Sequence, residues 1–197
     1  METLLGLMIG IGLSAACGFR VFIPLLVVSI GSHSGHVHLA HGFGWLGTMP
    51  ALIALAVATA VEVIGYLVPY VDHCLDVMAL PLAAVAGTVL TAGMVSEVSP
   101  FLRWTLAAVA GGGVATLTHG SLAVARAAVT TTTGGLGNPL FSILEGMMAF
   151  VTATVALLAP LVAVGFCLFV LVSLSRIARR LMRRKASEKP IAAPCDW

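Results

Sequence analysis

The sequence predicts an all-α membrane protein with six transmembrane helices, arranged as two inverted three-helix repeats. Three observations predict this class: scarce charge, long apolar runs and an ordered internal repeat. Of the 197 residues, 59% are hydrophobic and 9% are charged, whereas soluble proteins carry about 25% charged residues. The mean hydropathy is +1.08. So few charges cannot cover a globular surface in water, and we therefore expect the lipid bilayer to solvate the chain.

The apolar runs give the number of spans. A helix needs about 20 mostly apolar residues to cross roughly 30 Å of hydrocarbon. Single runs of that kind cover 4–30, 50–68, 79–96 and 102–129, and a longer run covers 140–174. Pro160 lies in the middle of the long run, so we expect two short spans joined by a turn, with one kinked helix as the alternative. Pro24 predicts a broken or kinked helix in the first run.

The basic residues predict the orientation. Seven of the ten lysines and arginines lie at Arg176 or later, and the positive-inside rule therefore puts the C-terminus in the cytoplasm. Six spans place the N-terminus there too. We expect a single transmembrane domain over residues 1–181, followed by a basic, disordered cytoplasmic tail over residues 182–197.

Three short segments recur in the same order along the chain. They pair 46–50 with 136–139, 57–61 with 151–155, and 81–87 with 160–165. The two units then cover residues 4–97 and 102–175. An odd number of spans inverts the second unit relative to the first, as in secondary transporters whose site lies between the repeats. Chance is the alternative, because alanine, valine, leucine and glycine dominate any membrane sequence.

Four charged residues fall within the predicted spans: Arg20, Glu62, Arg126 and Glu145. Each costs about 2.5–3.5 kcal/mol at a helix centre on insertion scales. They predict one polar centre, in which the arginines bind an anionic group and a carboxylate carries a proton. Two structural alternatives stay open. Arg20–Glu62 and Arg126–Glu145 could be ion pairs that stabilise each repeat, or the arginines could extend to the membrane interface.

The remaining polar residues give weaker indications. His119 stands alone in the fourth span and is a further candidate for the site, with a hydrogen bond to a neighbouring helix as the alternative. The predicted outer loop holds four histidines that are weak candidates for a zinc or copper site, or form a solvated pH-sensitive loop: His33, His36, His38 and His41. We expect residues 72–76, Asp-His-Cys-Leu-Asp, to form an interfacial turn.

Several classes of function are not supported by the sequence. It shows no catalytic or nucleotide-binding motif, and a net charge of +2 does not indicate nucleic-acid binding. We expect a non-enzymatic protein without a cofactor: a small transporter or permease for a small, anionic solute. A homodimer is expected because six short spans enclose little volume. The alternatives are a scaffold that binds lipid or a partner without transport, and a metal-handling protein that uses the outer histidines.

Four stretches of the chain together resemble a known family. They are ACGFRVFIPL at 16–25, WLGTMP at 45–50, SPF at 99–101 and TGGLGNP at 133–139. The sequence is similar to a bacterial membrane-protein family catalogued as the domain of unknown function 4126 family, over about residues 4–174. The resemblance implies a multi-pass protein of the bacterial inner membrane. It implies no substrate and no catalytic residues.

Overall fold

The computed structural model describes residues 2–66, 69–134 and 137–162, with the single positions 165, 172 and 176; for residues 69–74 it describes the backbone. Regular structure in these ranges is entirely helical. The α-helices are α1 (Glu2–Phe19), α2 (Phe22–His33), α3 (Met49–Gly65), α4 (Pro69–Met94), α5 (Pro100–Leu106), α6 (Gly113–Thr133) and α7 (Asn138–Leu158). A 3₁₀ turn (Gly44–Gly47) precedes α3, and a π-helical segment (Ala107–Gly112) joins α5 to α6.

Four helical stretches in the described ranges are long and apolar enough to cross a membrane. They are Glu2–Phe19, Leu75–Met94, Pro100–Thr133 and Asn138–Leu158, and α2 and α3 are shorter apolar helices. The all-helical class and its compatibility with a membrane are therefore confirmed. The six-span count and the inverted repeat stay predictions. Most of 163–175 and the whole tail, 182–197, lie outside the described residues.

Two breaks in the described helices lie close to Pro24 and Pro160, the prolines at which the sequence predicts them. The first apolar run is interrupted at Arg20 and Val21, between α1 and α2. Pro24 occupies the first turn of α2, where a residue without an N–H is tolerated but cannot continue the hydrogen bonding of α1. The second break is at Ala159, whose φ of −144° and ψ of 77° end α7 directly before Pro160.

Helix α4 is longer than its apolar run. It begins at Pro69 rather than at residue 79, so residues 72–76 are helical and the predicted interfacial turn was wrong. The acidic residues ended the apolar run in the sequence, which is why the helix start was missed. The structure resolves the conflict at Asp76, which pairs with Arg126 of α6. A charged residue can thus continue a helix when its partner lies on the neighbouring one.

Small residues let the helices approach closely around α1, which packs against α4, α6 and α7. A Cβ added to Gly6 would clash with the carbonyl oxygen of Met94, and one added to Gly10 would lie 2.9 Å from the Cα of Thr91. The Ser14 hydroxyl donates to the Gly87 carbonyl at 2.9 Å. This packing fixes α1, and therefore the break at its C-terminal end, in the protein interior.

Candidate functional site

The break between α1 and α2 leaves backbone N–H groups inside the protein, and Glu62 of α3 accepts them. Its Oε1 receives the Val21 N–H at 2.9 Å and its Oε2 receives the Phe22 N–H at 3.1 Å. A carboxylate at this position satisfies two donors and interacts favourably with the positive end of the α2 dipole. Glu62 is buried. Its two hydrogen bonds therefore satisfy backbone donors that the helix break frees.

Arg20 lies at the break and is buried, stacked and incompletely paired. Its Nη2 donates to the Ser142 carbonyl at 3.0 Å and to the Ser142 hydroxyl, and it lies 3.8 Å from Glu145 Oε2. The guanidinium carbon lies 3.6 Å from the centroid of the Tyr66 ring, a cation–π geometry. Its Nε and Nη1 have no hydrogen-bond partner in the described part of the chain. Arg20 is 3% exposed.

Arg126 is held more firmly. Its Nη2 donates to Glu145 Oε2, and its Nη1 donates to Asp76 Oδ1 at 2.6 Å. The guanidinium carbon also lies 5.0 Å from the centroid of the Tyr66 ring, on which Arg20 stacks. One arginine therefore joins α4, α6 and α7.

The four charged residues singled out in the sequence meet at one buried centre. The Arg126–Glu145 pair is present, whereas Arg20 pairs with Glu145 and not with Glu62 among the described residues. The centre thus differs from two separate pairs, one in each predicted repeat. Glu145 lies near both guanidiniums, and Glu62 lies at the helix start beside Arg20.

Three members of the centre were not predicted: Tyr66, Ser142 and Asp76. Two of them lie one helical turn from a charged residue, since Tyr66 follows Glu62 by four positions and Ser142 precedes Glu145 by three. Residues at this spacing share a helix face. That signal could have found both. Asp76 could not be found in this way, because it comes from a helix whose start was missed.

The predicted histidines lie elsewhere. His119 Nδ1 donates to the Gly18 carbonyl at 3.2 Å, which connects α6 to the last turn of α1. In the outer loop, His33 Nδ1 donates to the Gly47 carbonyl at 2.9 Å, and His36 Nδ1 lies 3.0 Å from the Ser34 hydroxyl. No group of three potential metal ligands occurs within the ranges that the structure covers.

A cavity of about 370 Å³ adjoins the centre, bounded by α2, α3 and α7. Its polar lining residues in the described chain are Arg20 and Ser142, and its remaining lining is Ile23, Val63, Ile143, Gly146, Met147, Phe150 and Val151. The cavity therefore reaches the incompletely paired arginine. An anionic group is the chemistry that a buried guanidinium with unpartnered nitrogens would accept.

The fold and the site define an all-helical membrane-compatible protein with a buried centre of opposite charges. The model of the family described as domain of unknown function (DUF4126) matches residues 7–180. The chain therefore belongs to the DUF4126 family. No curated protein and no solved structure matches it.

Proposed function

We propose that the protein carries a small anionic solute across the membrane, with Arg20 as the anion-binding residue. One observation carries the proposal: a buried arginine at a helix break has two nitrogens without a partner among the described residues, and it lines a cavity. The cavity volume of about 370 Å³ falls in the range of ligand pockets, roughly 300–1,000 Å³. Broken helices are a recurrent feature of transporter binding sites.

The two arginines have different roles in this proposal: Arg126 binds carboxylates of the protein, and Arg20 binds the anion. Arg126 holds Glu145 and Asp76 by direct hydrogen bonds, while Arg20 is 3.8 Å from Glu145. An anion can therefore take the place of Glu145 beside Arg20 without disturbing Arg126. Glu145 is the carboxylate that exchanges a proton as the anion arrives. His119 positions α6 against the break.

The charge of the centre supports proton coupling. The described groups comprise two guanidiniums and three carboxylates, of Glu62, Glu145 and Asp76. The start of α2 offsets part of the Glu62 charge, since a helix N-terminus carries about half a positive charge. A buried anion entering this centre adds negative charge, and uptake of a proton by a carboxylate compensates for it.

Liposome flux tests the coupling. Protein in vesicles with a pH-sensitive dye inside is exposed to inward gradients of potassium phosphate, sulfate or glutamate. We expect at least one anion to change the internal pH faster than in protein-free vesicles, and Glu62→Gln with Glu145→Gln to abolish the difference. A double variant with the full rate would contradict the coupling role. No response to any anion would contradict transport of these solutes.

A scaffold without transport is the second candidate function. The observation that favours it is that the ion pairs of Arg126 join three helices, which is the arrangement expected of charges that serve the fold. In that case wild-type vesicles show no anion-dependent flux, and Arg20→Gln affects only stability.

The remaining predictions are proposals on the same footing. We propose six spans in the bacterial inner membrane, both termini in the cytoplasm, and a homodimer. Reporter fusions at each terminus test the orientation, and light scattering of the purified protein tests the dimer.

Metal handling by His33, His36, His38 and His41 is the last alternative. It predicts zinc binding by calorimetry that is lost when all four become alanine, and equal heats would remove it.

A further inference from the structure

The cavity beside Arg20 has the form of a groove along α7. Its α7 lining residues lie at positions 142, 143, 146, 147, 150 and 151. Steps of one and three residues keep these positions on one face of a helix. The ten residues from Ser142 to Val151 are separated by nine helical rises, about 13 Å in all. The groove therefore begins at Ser142, the hydrogen-bond partner of Arg20, and continues along the helix for that length.

The groove opens on the outer face of the helix bundle, where a bilayer that α7 spans would place its acyl chains. Its α7 wall belongs to a candidate span, and Met147, Phe150 and Ile143 are 61%, 57% and 53% exposed. The opposite wall includes Val63 of α3 and the floor includes Ile23 of α2. With α7 in a bilayer, lipid would adjoin the groove, and an alkyl chain is the group that its apolar walls would accept.

We propose that this groove binds a single-chain amphiphile with an anionic head, an alkyl carboxylate or alkyl phosphate. The head takes charge-assisted hydrogen bonds from Arg20, and the chain lies along α7. This inference rests on one part of the proposed function, the role of Arg20 as the anion-binding residue, and names the class of ligand that this residue would bind. An extended peptide advances about 3.3–3.6 Å per residue of three backbone bonds, and an all-trans alkyl chain advances slightly more per bond, so a groove of about 13 Å holds an alkyl chain of roughly ten bonds.

The lining of the groove selects the sign of the head. Arg20 is its charged lining residue, and no carboxylate lines it among the residues that the structure covers. A cationic head would be repelled by the guanidinium and would find no carboxylate among the described lining residues. An anion without a chain would leave the apolar walls uncovered. Head and chain together are therefore needed for tight binding.

Photolabelling tests the inference with the full-length protein in phosphatidylcholine nanodiscs. The probe is dodecanoate with a diazirine on its chain, and mass spectrometry maps the labelled residues. We expect labels within 143–151, competed by dodecanoate or dodecyl phosphate but not by dodecyltrimethylammonium or acetate. Whichever of the first two competes better identifies the head. Equal competition by the cationic amphiphile would overturn the proposal.

Two pairs of variants separate a specific groove from general contact with lipid. Gly146→Leu fills the groove, and a Cβ there has a single close neighbour, Ile23 Cδ1 at 3.8 Å; Gly120→Leu is its control, in open space on α6. Arg20→Gln removes the charge, with Arg103→Gln as control. We expect labelling to fall about tenfold or more in Gly146→Leu and Arg20→Gln, and to persist in the controls.

The result distinguishes this inference from the proposed function. Labelling that is equal in Gly146→Leu and Gly120→Leu would overturn the groove, whatever the flux assay shows. Labelling that follows the expected pattern supports the groove, even if small anions give no flux in vesicles. Because Gly146→Leu keeps every charged residue, it tests the groove even if Arg20→Gln fails to fold.

Discussion

Arg20 and Arg126 are both buried, but they have different partners. Arg126 donates to two carboxylates, of Glu145 and Asp76. Arg20 donates to Ser142 and stacks on Tyr66, and two of its nitrogens lack partners among the described residues. Buried nitrogens without a hydrogen-bond partner are costly, and this cost is the reason for proposing that Arg20 binds a ligand.

This difference predicts unequal losses of stability. Arg126→Gln leaves Glu145 and Asp76 without their shared guanidinium, and breaking a buried pair costs about 3–5 kcal/mol. Arg20→Gln should cost less, because each carboxylate of the centre keeps another partner. Thermal unfolding in detergent measures both. Equal decreases in Tm would contradict the division of roles between the two arginines.

The carboxylate at the helix break gives a second prediction. Glu62→Ala removes the acceptor of the Val21 and Phe22 N–H groups, and each buried group left unsatisfied costs about 1–3 kcal/mol. Glu62→Gln keeps one carbonyl oxygen in the same place and should lose less. Tm values in detergent compare the two variants. If they coincide, the capping role of Glu62 is wrong.

At the scale of helices, the π-helical segment packs so closely against α4 that two of its glycine positions have no room for a side chain. A Cβ on Gly111 would lie 2.6 Å from the Gly87 carbonyl oxygen, and one on Gly112 would lie 2.7 Å from the Thr88 hydroxyl. A Cβ on Gly113 would meet nothing within 4 Å. The three consecutive glycines therefore have different roles, and the first two explain the close approach of these elements.

Alanine substitutions test this reading. Gly111→Ala forces the π-helical segment away from α4, and overpacking of this kind costs about 1–3 kcal/mol. Gly113→Ala should be neutral or stabilise the protein by up to about 1 kcal/mol, because alanine favours a helix. Thermal unfolding of the two variants measures the difference. A Gly111→Ala protein as stable as Gly113→Ala would contradict the packing described.

The helices show what the sequence can and cannot predict. The breaks beside Pro24 and Pro160 were predictable because a proline removes a backbone donor and crowds the preceding turn, although Pro81 lies inside α4 without ending it. The start of α4 was not predictable, because a hydropathy pattern ends the apolar run at Asp76 even though this residue has a basic partner on another helix. The Arg20–Glu145 ion pair was not predictable either. Contacts between elements that are distant in sequence depend on helix packing, which the periodicity of the sequence does not encode.

At the scale of the whole molecule, ion pairs connect the two sequence units. Arg20 of the first unit lies near Glu145 of the second, and Asp76 of the first pairs with Arg126 of the second. The centre therefore lies between residues 4–97 and residues 102–175, rather than within either. Transporters built from inverted repeats have their binding sites at the corresponding position, between the two repeats.

Anion flux through Arg20 is the most direct test of the account. Arg103 provides the matched control, because it is also an arginine but lies far from the charged centre. It precedes Arg126, a member of that centre, by about 34 Å along the same helical stretch. Wild-type protein and Arg103→Gln in dye-loaded vesicles should give the same anion-dependent pH change, and Arg20→Gln should reduce it to the protein-free rate. An Arg20→Gln protein that folds and retains the wild-type rate would contradict the central claim.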